Sequence, residues 1–133
     1  MNKRSIGSWY EDIAADWLLK NGFRILARNF RSRQGEIDII CLQGGCGFNE
    51  SSPLEKQEDI LVFVEVKYRS SASAGRPEEA LTPAKIRTIS RVADYYRVRY
   101  RIPQNMPCRF DVIAIEKDQL RHYENAFPYM QRV

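Results

Sequence analysis

The chain has 133 residues, 44% hydrophobic and 29% charged, with a formal net charge of +4 and a sequence pI of about 9.1. This describes one globular domain with one core and excludes a disordered chain, while the mild basic bias tilts toward an anionic partner. Three cysteines (Cys41, Cys46, Cys108) with no CxxC pair exclude a disulfide framework and a zinc knuckle, and no run approaches the roughly 18 apolar residues of a membrane span. With no apolar h-region behind Lys3 and Arg4, the expectation is a soluble cytoplasmic protein with free thiols and no membrane partner.

From Ile6 to Asn21, Ile6, Trp9, Tyr10, Ile13, Ala14, Trp17 and Leu18 recur at three- and four-residue spacing. They predict an amphipathic helix with one buried face. Ser5 is placed as its N-cap and Gly22 as its stop. Glu11 falls at the margin of that face, where it either reaches the edge of what the helix packs on or stays solvated beside Asp12.

Phe23–Phe30 follows as a half-exposed strand, and the polar turn Arg31–Gly35 leads into a second strand over Glu36–Leu42. Alternation there puts Glu36, Asp38 and Ile40 on one face and Ile37, Ile39 and Cys41 on the other. Residues 43–59, rich in glycine and polar residues, read as a long mobile hairpin loop. Ile60–Tyr68 is the third strand, with Val62, Val64 and Val66 facing one way and Phe63, Glu65 and Lys67 the other. A Ser-, Ala- and Gly-rich loop over Arg69–Arg76 and a short helical turn over Pro77–Leu81 come next.

Thr82-Pro83 supplies an N-cap and first-turn proline for a helix to about Arg101, with an apolar stripe of Ile86, Ile89, Ala93, Tyr96 and Tyr100. The rest of that helix carries Lys85, Arg87, Arg91, Arg97, Arg99 and Arg101 against the single acid Asp94. Such a run is either a solvated face or a set of phosphate contacts. Cys108–Ile115 reads as a buried strand and Leu120–Glu124 as a short last one after a turn at Lys117-Asp118. The order α-β-β-β-α-β-β predicts an antiparallel meander, then a right-handed crossover laying the fourth strand parallel to the third. The result is an α/β fold whose mixed sheet is flanked by helices.

The chemistry concentrates in strands two and three. A carboxylate and an ammonium inside a run as apolar as Val62–Lys67 are costly unless paired or metal-bound. If the register sets Asp38 opposite or diagonal to Glu65, two acids meet with Lys67 as the nearby cation, an arrangement that suits Mg²⁺ or Mn²⁺ with oxygen ligands. Lys67 would then stand beside the attacking water. A lone E-x-K reads better as a structural bridge; the acid in the preceding strand, the helix acid Glu11, the Gly-rich loop after the lysine and the basic helix behind favour the site. Glu36 is either an accessory acid or an edge charge satisfied by an arginine such as Arg33. His122, with no second ligand or base in view, reads as structural.

Gly35-Glu-Ile-Asp38, Val62–Lys67 with Arg69 behind it, and Arg109-Phe-Asp-Val-Ile113 resemble the YraN family of bacterial proteins, placed in the PD-(D/E)xK, or restriction-endonuclease-like, superfamily. The likeness covers nearly the whole chain, including Gly7-x-x-x-Glu11, Gly22-Phe23 to Asn29, Gly75-Arg-Pro77 and Asn125-Ala-Phe127. It implies a single nuclease-like domain over residues 1–133, with an α-β-β-β-α-β core and an Mg²⁺- or Mn²⁺-dependent nuclease activity on DNA, branched or structured DNA included. Asp38 then matches the first metal-binding acid, Glu65 the second and Lys67 the catalytic lysine, while Glu11 matches the helix acid of Holliday-junction-resolvase-like members. Ile37 departs from the proline of the superfamily motif and leaves the acid in place. Arg69, Arg76, Lys85, Arg87 and Arg91 are the candidate nucleic-acid contacts, and resolvase-like relatives bring a homodimer into view. The rival expectations are a non-catalytic nucleic-acid-binding module of the same fold and a protein-interaction scaffold.

Overall fold

A computed structural model describes residues 3–44, 59–69 and 81–131. The elements run α1 (Lys3–Lys20), β1 (Phe23–Ser32), β2 (Gly35–Gln43), β3 (Ile60–Arg69), α2 (Pro83–Arg99), β4 (Cys108–Glu116) and β5 (Gln119–Phe127). The five strands form one mixed sheet in the order β1-β2-β3-β4-β5, antiparallel except for the β3–β4 pair. The meander and the crossover thus follow the sequence pattern. Gln43 belongs to β2 and Arg69 to β3; residues 45–58 of the predicted hairpin loop, residues 70–76 of the Ser/Ala/Gly-rich loop with Arg76, and most of the turn before Leu81 lie outside the described residues. Among the described residues no helix is long and apolar enough to cross a membrane.

Each helix covers one face of the sheet. On the α2 side, Ile89, Val92, Ala93 and Tyr96 pack with Ile40, Leu61, Phe63, Phe110, Val112 and Phe127. On the α1 side, Ala14, Ala15 and Leu18 pack with Ile39, Cys41, Val62, Val64, Ile113 and Ile115. The alternation of β3 is therefore as the sequence predicts, because a strand covered on both faces is apolar throughout. Thr82 caps α2 by accepting the Lys85 amide proton at 3.2 Å, the proline following it at the first helical position.

Several expectations need correction. α1 already runs from Lys3, so Ser5 lies inside the helix and not at its start. Trp9 and Trp17 do not join the core: they stay 54% and 38% exposed. The alanines 14 and 15 allow close approach to the sheet, and Trp9 stands about 140° round the helix from Ala14 at 3.6 residues per turn. Tyr100, placed in the apolar stripe of α2, is half-exposed beyond the last helical residue. β5 is longer than expected, carried past Glu124 by Asn125 in the left-handed region (φ 52°).

The most consequential departure is in β2. Ile37 packs on the α2 side with Ile40, whereas Ile39 and Cys41 face α1. Strict alternation fails across Asp38. The reason is that the β2–β3 ladder ends at Ile39↔Val64, so nothing on that side pins the pleat beyond it.

Candidate metal centre

The site opens where that ladder stops. One further step along the pairing would oppose Asp38 to Glu65, and there the two strands cease to pair. The Val66 amide, freed from the ladder, donates instead to Asp38 Oδ2 at 2.8 Å. On the other edge of β2 the pairs Arg28↔Ile39 and Phe30↔Ile37 set Asn29 across from Asp38, with Asn29 in the left-handed region (φ 52°). The Asn29 side chain hydrogen-bonds Glu11, which α1 brings in from above the sheet.

Carboxylate oxygens of Glu11, Glu36 and Asp38 lie within 4.8 Å of one another, all three residues half-buried. Glu65 is not in that group. It is 7% exposed, with Lys67 Nζ 3.4 Å and Lys85 Nζ 3.9 Å from its Oε1. Glu36 also accepts from Arg31 Nε at 3.1 Å, so its arginine partner is Arg31 and not Arg33.

The electrostatics follow from this crowding. Burial first, then the Glu65 charge, push the Asp38 carboxyl up to about 7, against the lowering effect of the Val66 amide. Burial likewise raises Glu65, although Lys85 and Lys67 pull it back. Burial and the neighbouring Asp38 raise Glu11. Several carboxylates thus share a place where water no longer stabilises their charge. An all-oxygen donor set of this kind fits a hard divalent cation and does not fit zinc or copper, which favour imidazole or thiolate.

Four of the predicted residues, Glu11, Asp38, Glu65 and Lys67, converge here, and Lys85 comes with them. The other candidate contacts are less concentrated. Arg87 is half-buried and Arg91 exposed, about 3 and 9 Å along the helix axis from Lys85 at 1.5 Å per residue. Arg97, further along, donates to the Gln104 carbonyl at 3.3 Å. Arg69 ends β3. Sequence reasoning left Glu36 open and missed Asn29 and the Val66 amide. An asparagine among arginines in a strand pattern was the one signal for Asn29, since asparagine tolerates the left-handed region.

His122 is structural, as read. The carboxylate of Asp111 is fully buried and takes Arg109 Nε at 2.8 Å, His122 Nε2 at 2.8 Å and the Asn125 amide at 2.9 Å. This cluster ties β4 to β5 and involves none of the site acids.

Comparison with known sequences places the chain. Residues 10–115 match the model of the Uncharacterised protein family UPF0102. The chain belongs to this family. A UPF0102 protein of Lachnoclostridium phytofermentans is 44% identical over 127 residues, covering 96% of each chain. UPF0102 proteins of Symbiobacterium thermophilum and Syntrophomonas wolfei subsp. wolfei are 40% and 39% identical, each over 129 residues and 93% of this chain, covering 97% and 98% of theirs. The YraN-like resemblance thus holds at the level of the UPF0102 family, over essentially the full length of these relatives.

Proposed function

We propose that this UPF0102 chain is a restriction-endonuclease-like, divalent-metal-dependent phosphodiesterase acting on nucleic acid, DNA first and structured or branched DNA within it. The observation that carries the reading is the convergence of Glu11, Glu36, Asp38 and Glu65 on the gap between β2 and β3 with Lys67 beside them. Asp38 belongs to both candidate ligand sets, the pair with Glu65 and the trio with Glu11 and Glu36. A bound Mg²⁺ or Mn²⁺ would supply a Lewis acid for a phosphoryl oxygen and acidify water. Asp38 and its partners give the ligand oxygens. Glu65 pairs with Lys67 Nζ at 3.4 Å, and that side chain offers donors to a water or a non-bridging phosphoryl oxygen as negative charge builds there.

Calorimetric titration with Mn²⁺ of the wild-type chain and of Asp38→Ala, Glu36→Ala and Glu65→Ala tests this. Asp38→Ala is expected to abolish binding, and the other two variants to apportion the ligand set. Unchanged binding in Asp38→Ala defeats the reading. A second reading, a binding module without cleavage chemistry, is favoured by the two lysines that pair with Glu65. Incubation with single strands, duplexes, flaps and four-way junctions in Mg²⁺ or Mn²⁺ decides between them, since binding without cutting selects the module.

A further inference from the structure

Beside the acidic site stands an aromatic pile that core packing does not explain. Tyr10 of α1 and Tyr68 of β3 stack face to face, centroids 4.3 Å apart and planes 10° from parallel. Trp9 meets Tyr10 edge-on at 5.0 Å. Tyr10 is partly buried against the α1-side core, yet Tyr68 remains 43% exposed with one ring face already covered, and Trp9 54% exposed. The pile lies on the α1 face of the sheet, from which Glu11 enters the site, whereas alternation along β3 turns Lys67 to the α2 face. Tyr10 adjoins Glu11 and Tyr68 adjoins Lys67, each pair of Cα atoms about 3.8 Å apart as consecutive residues must be.

We propose that Tyr68 and Trp9, propped by Tyr10, form a stacking platform for an unpaired nucleobase of the strand held at the acidic site. This rests on the phosphodiesterase reading and narrows its substrate class to nucleic acid carrying unpaired residues beside the scissile phosphate, as opposed to continuous duplex. A base inside a duplex already has both faces stacked, so an exposed ring can stack only on one that is unpaired or terminal. Every base has a π-face, so such a platform is tolerant of sequence. It also divides the labour with Lys85 and the lysine at 67, whose charges address phosphates, which carry no information about pairing.

The test is a titration of the full-length chain, in EDTA to prevent cleavage, into a duplex with 2-aminopurine in a single-stranded tail, and into a relaxed, covalently closed circular duplex, which has no unpaired or terminal base. The wild-type chain is expected to quench the tail fluorophore. Tyr68→Leu is expected to weaken tailed-duplex binding by about tenfold, within the range that one base–aromatic stack contributes. Tyr68→Phe is expected to bind as wild type, and the closed duplex to bind all three chains equally. Unchanged affinity in Tyr68→Leu overturns the platform, as does equal loss on tailed and closed duplexes, which would mark the pile as a support for α1. Absence of binding to the tailed duplex by the wild-type chain overturns it as well. The two readings fail separately: unchanged Mn²⁺ binding in Asp38→Ala would remove the acidic site, and metal-dependent cleavage with normal tail binding by Tyr68→Leu would remove the platform alone.

Discussion

The Asp38 carboxylate accepts the Val66 amide proton at 2.8 Å, across the point where β2 and β3 stop pairing. It therefore serves the backbone and the site together. Its carboxyl is held up at about 7, above an ordinary 3.8, so the folded chain binds more protons than the unfolded one between those values. Stability then falls as pH rises through that window. Asp38→Asn keeps an oxygen acceptor for the Val66 amide and removes the charge. In metal-free buffer its melting temperature is expected to exceed the wild type's by a few degrees at pH 8, a gap that closes toward pH 5. Mn²⁺ at pH 8 should raise the wild type alone. Parallel melting curves across pH would contradict the burial of this carboxylate.

Glu65 and Lys67 form the inner ion pair of the site, 3.4 Å apart, with Lys85 behind at 3.9 Å. Lys67→Met removes the nearer cation from a nearly buried carboxylate. Cleavage is expected to fall by a factor of about 10²–10³, the scale of losing one positioned donor. Stability should fall by only about 1 kcal/mol, because Lys85 remains and both lysines are partly solvated. Adding Glu65→Gln should restore the stability and not the cleavage. A double-mutant cycle in urea shows whether the pair couples.

Asp111 is the opposite case. Burial pushes its carboxyl upward, but the bonds from His122, Arg109 and the Asn125 amide outweigh this and hold it below the ordinary 3.8. Its contribution is present above the unfolded value and lost as pH falls through the folded one. Asp111→Ala leaves the Asn125 amide and His122 without this acceptor and, among the described residues, Arg109 with Glu124 alone, 3.6 Å away, and is expected to cost about 3–5 kcal/mol in chemical denaturation. Wild-type stability at neutral pH in that variant would show that the network contributes nothing.

Gly35 closes the β1–β2 turn against α2. A Cβ there would meet Thr88 Cγ2 at 2.7 Å, with a backbone φ of +152° that side chains rarely adopt. Gly35→Ala is expected to cost about 1–3 kcal/mol, the range for a residue forced into sparsely populated backbone conformation. Thr88→Ser in the same chain should return the steric share and leave the conformational one. Thermal melts of the single and double variants separate the two shares; an unchanged melt for Gly35→Ala would refute the close approach.

Cys41 is fully buried, and burial pushes its thiol up to about 12. The thiolate is the reactive form, so iodoacetamide at pH 8 should leave Cys41 unmodified in the native chain and modify it once urea is added. Peptide mass mapping reads this directly. Native-state labelling at Cys41 would place it outside the packed face between the sheet and α1.

Much of this protein was legible in the chain itself. Alternation at period two fixed which side of β3 carries Glu65 and Lys67, Thr82-Pro83 fixed the start of α2, and connection lengths fixed the meander and the crossover, because each depends on neighbours in sequence. Tertiary structure alone decided which carboxylates meet. Glu36 joins Glu11 and Asp38, and Glu65 turns to its lysines, because the β2–β3 ladder stops at Ile39↔Val64 and the pleat slips at Asp38. The exposure of Trp9 and the stacking of Tyr10 on Tyr68 likewise depend on how α1 is rotated over the sheet. Strand pairing and helix rotation are settled by contacts between residues far apart in the chain, and no local period records them.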